Sequence, residues 1–141
     1  MVDTPASGVF PGEGMELTQI LVVSDAERSR AFYRDVLGAT VEYEYGGTSV
    51  VLRFLGCWVL LVTGGGPTPD KPTVTFDVPP DPDRVDHAWT IRVPDCQAAY
   101  ETLVARGAEF LTPPVTSGRE TRAFTRDPDG HLIEISAVTA T

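Results

Sequence analysis

A strand-and-helix pattern occurs twice in the 141-residue chain, and this repeat limits the possible folds more than any other feature. In the first copy, Ser24 or Asp25 can cap a helix that Gly38 ends, since short polar residues favour helix starts and glycine favours helix ends. In the second copy, a helical segment runs from Asp95 to a stop at Gly107. The two aspartates stand 70 positions apart, which predicts an internal duplication.

Each copy predicts the order strand, helix, strand, strand, strand. A single helix covers only one face of a four-stranded sheet, so the other face must close on a second sheet or line a cavity. We therefore predict an α+β fold of two βαβββ modules whose sheets curl around a cavity. The predicted strands are LTQILVV, ATVEYEY, SVVLRFL and CWVLLV in the first copy, and HAWTIRV, AEFLT, RETRAFTR and HLIEIS in the second.

Glycine and proline density divides the chain into segments. We expect a flexible N-terminal extension over residues 1–14, a first module over 15–63, a connector over 64–85 and a second module over 86–138. The connector contains TVTFDV, which can form a short extra strand or a lid. Because the modules need each other to cover their sheets, we expect 15–138 to form one domain.

The charge balance indicates the class of partner. With a formal net charge of -9 the chain repels phosphate backbones and anionic membranes, so we expect no nucleic acid and no membrane partner. The start lacks a signal-peptide pattern and no stretch approaches the ~20 apolar residues of a membrane span, which favours a cytoplasmic protein. Cys57 and Cys96 match no zinc spacing, and we expect both to be reduced and half-buried.

Three stretches of the chain together resemble the vicinal-oxygen-chelate superfamily. This superfamily includes glyoxalases, extradiol dioxygenases, fosfomycin-modifying enzymes and bleomycin-resistance proteins. The resemblance runs from about Met15 to Ser136 and implies paired βαβββ modules, often in a homodimer whose sheets complete each cavity. The stretches are SDAERSRAFYRDVLGA, VPDCQAAYETLVARGAEFLTPP and FTRDPDGHLIEIS.

The resemblance also implies a metal site in some members. There, His, Glu or Gln side chains from the first strand of each module and from the closing strand hold a divalent ion. The ion chelates two neighbouring substrate oxygens and stabilises the charge that develops on them. Oxygen and nitrogen ligands suit Fe, Mn, Ni, Co or Zn without selecting among them.

Strand alternation assigns residues of the closing strand to faces. Ile133 and Ile135 form an apolar pair that should pack under a helix, so Glu134 should face the cavity. Glu134 also matches the family's closing-strand carboxylate, which makes it the candidate catalytic residue and metal ligand. His131 falls on the opposite face beside the turn, where we expect it to bond to backbone.

The first strand of each module departs from the family pattern. The positions of the family's histidines hold Thr18 and Ala88, while Gln19 and His87 lie one residue out of register. A β-bulge at each would be needed to turn them toward the cavity. The candidate metal ligands are therefore Glu134, His87 and Gln19.

Alternation also selects candidate substrate-binding residues. On the two first strands it places Thr18, Ile20, Thr90 and Arg92 toward the cavity. A fixed Arg92 guanidinium there could bind a carboxylate or a phenolate.

Two functions remain open from the sequence. The first is divalent-metal-assisted lyase, isomerase or dioxygenase chemistry on a small oxygenated molecule. The second is metal-free binding of a hydrophobic or cationic small molecule, as in bleomycin-resistance proteins. The missing family histidines and the acidic composition motivate the second, and whether the protein is an enzyme stays open.

Overall fold

The computed structural model of the protein describes residues 9–139. Residues 1–8 of the expected N-terminal extension lie outside the described residues. The first module contains β1 (Thr18–Val23), α1 (Ala26–Ala31) continued by a π-helical turn (Phe32–Val36), β2 (Thr40–Tyr45), β3 (Ser49–Phe54) and β4 (Cys57–Thr63). The second contains β5 (Trp89–Arg92), α2 (Cys96–Ala105), β6 (Val115–Ser117), β7 (Glu120–Arg126) and β8 (Leu132–Val138).

The two modules have the same sheet topology. The first sheet has the order β1-β4-β3-β2 and the second β5-β8-β7-β6. In each, the first strand pairs in parallel with the closing strand, and the other pairs are antiparallel. The predicted α+β class and the repeated topology are confirmed. Each sheet stays open, and neither closes into a barrel.

The duplication extends to the helix starts. Asp25 accepts a hydrogen bond from the Arg28 backbone N–H at 3.1 Å, and Asp95 accepts one from that of Ala98 at 3.0 Å. The backbone angles of the two caps agree within 2°, at φ -143° and ψ 103° against φ -141° and ψ 104°. The two copies therefore start their helices with the same capping interaction.

One predicted strand of the second module is wrong. Residues 108–112, AEFLT, form only an isolated bridge from Phe110 to Thr125. The edge strand of this sheet, β6, begins later, at Val115. Pro113 and Pro114 lie between the two segments. Because proline has no backbone N–H to donate, regular strand pairing begins only after these two prolines.

The two modules share one hydrophobic core. Leu21 and Val23 of β1 are buried, as are Ile133 and Ile135 of β8. The burial of the two isoleucines agrees with the alternation predicted for the closing strand. Helix α1 packs against β3 and β4, and α2 packs against β7 and β8. Burial of the helix-side positions alternates with exposure on the other face of each sheet, as a half-buried sheet requires.

A buried polar cluster joins the modules at the turn before β8. The Asp127 carboxylate accepts hydrogen bonds from the Tyr33 hydroxyl at 2.6 Å and from the His131 ring at 2.7 Å. It also accepts from the backbone N–H groups of Asp129 and His131. Burial, followed by the charge of Asp127, raises the pKa of Tyr33 well above its usual value. The His131 ring therefore bonds to a buried carboxylate, and not to backbone as expected.

The connector and the cysteines complete the description. Between β4 and β5 the chain forms turns and two isolated bridges, one of them from Gly65 to Phe76, so TVTFDV forms no regular strand. Cys96 is buried, and burial raises its pKa, whereas Cys57 is exposed because it follows the β3–β4 turn directly. Within residues 9–139, the helices are too short and too polar to cross a membrane.

Candidate functional site

Each sheet has an open face, which we define as the face turned away from its helix and from the shared core. On the first sheet, strand pairing sets β1 residues beside β4 residues, with Ile20 opposite Leu60. A bulge between Val41 and Tyr43 places both tyrosines of β2 on this face. The first open face is formed by Thr18, Ile20, Val22, Thr40, Tyr43, Tyr45, Ser49, Val51, Arg53, Trp58, Leu60 and Val62.

The second open face has a different character. Thr90 lies opposite Glu134, and Phe124 lies opposite Glu134 from the other side. Charged residues of both signs surround this carboxylate, in contrast to the apolar and aromatic first face. The second open face is formed by Thr90, Arg92, Val115, Ser117, Glu120, Arg122, Phe124, Arg126, Leu132, Glu134, Ser136 and Val138.

The duplication makes the two open faces comparable residue by residue. Counted from the capping aspartates, Ile20 corresponds to Thr90, and their strand partners Leu60 and Glu134 correspond to each other. A leucine in the first module therefore occupies the position of the candidate catalytic carboxylate in the second.

Glu134 is held by two neighbours and remains partly accessible. The Thr90 hydroxyl donates a hydrogen bond to its carboxylate, and the Arg122 guanidinium lies 3.7 Å from it. Arg122 also lies over the Phe124 ring, 5.5 Å from its centroid. The Glu134 side chain is 16% exposed. A carboxylate fixed in this way can accept a hydrogen bond from a ligand hydroxyl or ammonium group.

Gln19 and His87, the other two candidate metal ligands, contact each other. Their Nε2 atoms lie 3.3 Å apart, which links the start of β1 to the segment before β5. The second ring nitrogen of His87 lies 3.2 Å from the Asp86 carboxylate, and this hydrogen bond lowers the pKa of Asp86. The β1–β4 register is regular at Gln19, so β1 lacks the bulge that would turn Gln19 onto the open face.

Two cavities lie along the seam between β1 and β5. The first, which we call the lower cavity, has a volume of about 370 Å³ and is lined by Thr18 and Thr90 together with Trp58 and Trp89. The second, the connector cavity, has a volume of about 420 Å³ and is lined by Ile20 and the connector. Of the predicted substrate-binding residues, Thr18 and Thr90 thus share one cavity, Ile20 lines the other and Arg92 is exposed.

The residues present do not fit a family-type metal centre within one chain. Glu134 is engaged by Thr90 and Arg122, while Gln19 and His87 are paired with each other. Across residues 9–139, no group of three His, Cys, Asp or Glu side chains could hold a metal ion. Three protein ligands are the usual minimum for a catalytic metal site of this kind.

Comparison with known proteins identifies the class to which this fold and site belong. Residues 16–135 match the family model of the Glyoxalase/Bleomycin resistance protein/Dioxygenase superfamily. The match covers well over half of the chain, so the protein belongs to this superfamily. The curated protein sequences contain no match to the chain.

Solved structures agree with the family assignment at the level of the fold. A glyoxalase/bleomycin resistance protein/dioxygenase from Nocardioides is 24% identical, with a TM-score of 0.69 and coverage of 94% of this chain and 88% of that one. A mutant of the fosfomycin resistance protein FosX from Listeria monocytogenes, complexed with Mn(II) and 1S,2S-dihydroxypropylphosphonic acid, is 20% identical, with a TM-score of 0.67 and coverage of 90% and 91%. Lactoylglutathione lyase from Agrobacterium tumefaciens is 17% identical, with a TM-score of 0.66 and coverage of 90% and 95%.

Proposed function

We propose that this protein binds a small organic molecule without a metal ion, and that Glu134 is the polar anchor of the site. The observation that carries the proposal is the environment of this carboxylate. Thr90 and Arg122 hold Glu134 in place while leaving it partly accessible, and neither Gln19 nor His87 joins it. The carboxylate is therefore available to a ligand and is not committed to an ion.

Glu134 does not itself line the lower cavity, but Thr90, which donates a hydrogen bond to it, does, so the lining of this neighbouring cavity suggests the chemistry of the ligand. Trp58 and Trp89 contribute large aromatic surfaces, and Thr18 and Thr90 contribute hydroxyl groups. Aromatic walls with a few polar groups are typical of sites for small molecules. Since the anchor is an anion and the formal net charge is -9, we favour a molecule with an apolar or aromatic body and a hydroxyl or ammonium group.

A metal-dependent function is the second candidate, and two observations favour it. Gln19 and His87 meet at the seam beside the cavity that Thr90 lines, and a solved relative in the comparison, FosX, is complexed with Mn(II). In this case Glu134, His87 and Gln19 would hold Fe, Mn, Ni, Co or Zn after a rearrangement of the seam. A bound ion would supply electrophilic activation of neighbouring substrate oxygens for lyase, isomerase or dioxygenase chemistry.

A ligand screen with and without chelator separates the two candidates. Protein purified without chelator is first analysed for its metal content, and a small-molecule library is then screened by thermal shift in EDTA and in added Mn(II). The metal-free proposal expects substoichiometric metal and hits that persist in EDTA. Hits that require metal, together with stoichiometric metal in the purified protein, would overturn it in favour of the second candidate.

We also infer that two chains associate through their open faces. Tyr43 and Tyr45 of the first open face are 61% and 56% exposed, with ring centroids 6.5 Å apart, and Ile20 of the same face is 44% exposed. A continuous apolar and aromatic surface of this kind is unusual on a monomer and favours association. A homodimer would cover this face and complete the walls of the ligand site.

A further inference from the structure

We propose that the connector cavity is a second ligand site, separate from the Glu134 site, and that the Nε2 atom of His131 is its hydrogen-bond acceptor. The ligand class that fits is a small, neutral, largely apolar molecule with one hydroxyl group, of which phenol is the simplest probe. Glu134 does not line this cavity, so the two sites can be tested independently.

The buried Asp127 carboxylate determines which nitrogen of His131 carries the proton. The Asp127 side chain is fully buried, and it receives hydrogen bonds from Tyr33, from two backbone N–H groups and from Nδ1 of His131. An ionised carboxylate only accepts hydrogen bonds, so Nδ1 must be the donor. In a neutral imidazole the proton on Nδ1 leaves a lone pair on Nε2.

The Nε2 atom of His131 is the ring atom that we assign to the ligand. The His131 side chain is 10% exposed and lines the cavity, and within residues 9–139 its Nε2 makes no hydrogen bond to the protein. The surrounding wall is mostly apolar, so an acceptor there gains most from a ligand that brings its own donor. The apolar wall consists of Ile20, Val22, Val78, Pro79, Pro80, Val85 and Leu132.

Trp89, which lines the same cavity, carries a second unpaired polar atom. The Nε1 atom of Trp89 is buried without a hydrogen-bond partner among the described residues, and Trp89 lines both seam cavities. A hydroxyl group that donates to His131 keeps its oxygen lone pairs, which can accept a hydrogen bond from a donor such as this indole.

The charges at the rim favour a neutral ligand. Asp77, Arg84 and Asp86 line the cavity and are exposed, as is His87, which is hydrogen-bonded to Asp86. With His87 neutral, the rim carries one more negative charge than positive charge. An anionic phenolate would be repelled and would also lack the donor that Nε2 needs. A neutral phenol meets both requirements.

Nuclear magnetic resonance on the full chain tests the proposal directly, because the protein contains only two histidines. Long-range proton–nitrogen spectra report which nitrogen of each ring is protonated, and His87→Asn assigns the two rings. The protein is then titrated with phenol and with anisole, which matches phenol in shape but has no donor. His131→Asn removes Nε2, and Val85→Trp fills the cavity without changing the ring. Gln97→Ala, on an exposed position of α2, serves as the control variant.

The proposal expects the Nδ1–H form of His131 and saturable shifts of its ring on addition of phenol. Loss of one hydrogen bond should weaken phenol binding about five- to tenfold in His131→Asn, and anisole should bind the parent protein more weakly by a similar factor. Val85→Trp should abolish the phenol-induced shifts of the His131 ring, because it fills the cavity. Gln97→Ala should bind phenol as the parent protein does. An Nε2–H ring, no saturable shift at His131, or phenol binding of unchanged affinity in both His131→Asn and Val85→Trp would overturn the proposal.

Discussion

The open faces of the two sheets occupy equivalent positions of a duplicated module, yet they differ in chemistry. Leu60 in the first module corresponds to Glu134 in the second, and Ile20 corresponds to Thr90. The first face is apolar and aromatic, whereas the second carries charges of both signs. After duplication, the open face is thus the part of each module that was free to change.

The helix sides of the same sheets have hardly changed. Leu61 and Ile135 correspond to each other and are both at most 1% exposed, and the two helix caps superimpose in geometry. Packing in the shared core limits what can be replaced there. This contrast assigns folding to the buried faces and function to the open ones, as expected when a site is built upon a general scaffold.

The largest expected effects on stability come from truncating buried side chains at equivalent positions of the two helix-side faces. Leu61→Ala and Ile135→Ala should each lower the free energy of unfolding by about 2–5 kcal/mol, because each leaves a cavity in the shared core. Urea denaturation measures both losses. If the two halves contribute as equally as their burial indicates, the losses should agree within about 1–2 kcal/mol. A large loss in one variant and none in the other would show that the modules do not share one core.

The next effect concerns the junction, where the two modules are not equivalent. Tyr33→Phe should cost about 1–3 kcal/mol, because the buried Asp127 carboxylate loses a donor. The raised pKa of Tyr33 also gives a pH dependence. Above about pH 10 the unfolded chain releases the tyrosine proton before the folded chain does, so stability is complete below that pH and falls as pH rises through it. Denaturation at pH 9 and 11 should show a smaller fall in Tyr33→Phe than in the parent.

The dimer proposal can be tested on the first face alone. Replacing both Tyr43 and Tyr45 with lysine puts like charges on the proposed interface and should weaken self-association by about tenfold or more. Sedimentation measures the association, with Arg119→Lys, on an exposed turn residue, as the charge-conserving control. A parent protein that remains monomeric at all concentrations, or a double variant that associates like the parent, would contradict the proposal.

The smallest expected change in stability is at the second face. Glu134→Leu gives this position the residue type of its counterpart Leu60 and should alter the free energy of unfolding by less than about 1 kcal/mol, since a partly exposed ion pair contributes little. Thermal or urea denaturation checks this. A loss as large as that of Ile135→Ala would mean that Glu134 is a structural residue rather than a functional one.

Much of the fold was predictable from local patterns. The repeat, the helix starts and the buried pair Ile133–Ile135 all followed from periodicity and capping, because these depend on neighbouring residues. AEFLT was wrong because pattern alone gave too little weight to the two prolines after it.

The site was less predictable because it depends on tertiary contacts. The bulge in β2 that turns Tyr43 and Tyr45 onto the open face leaves no clear sequence signal. The contact of Gln19 with His87 and that of Tyr33 with Asp127 join residues far apart in the chain. Arg122 lies opposite Ser136 in the β7–β8 register, so its ion pair with Glu134 is a diagonal contact that strand alternation does not predict.

The most direct test of the account is a calorimetric titration in EDTA with the best hit of the ligand screen. The parent protein, Glu134→Gln and Glu134→Leu are compared, and Gln97→Ala serves as the control. Glutamine keeps an oxygen for the Thr90 hydroxyl but removes the charge, and leucine removes both. The account predicts binding by the parent without metal, a loss of about tenfold or more in both Glu134 variants, and no change in the control. Binding that disappears in EDTA and returns with Mn(II), or binding that is unaffected by either Glu134 variant, would contradict it.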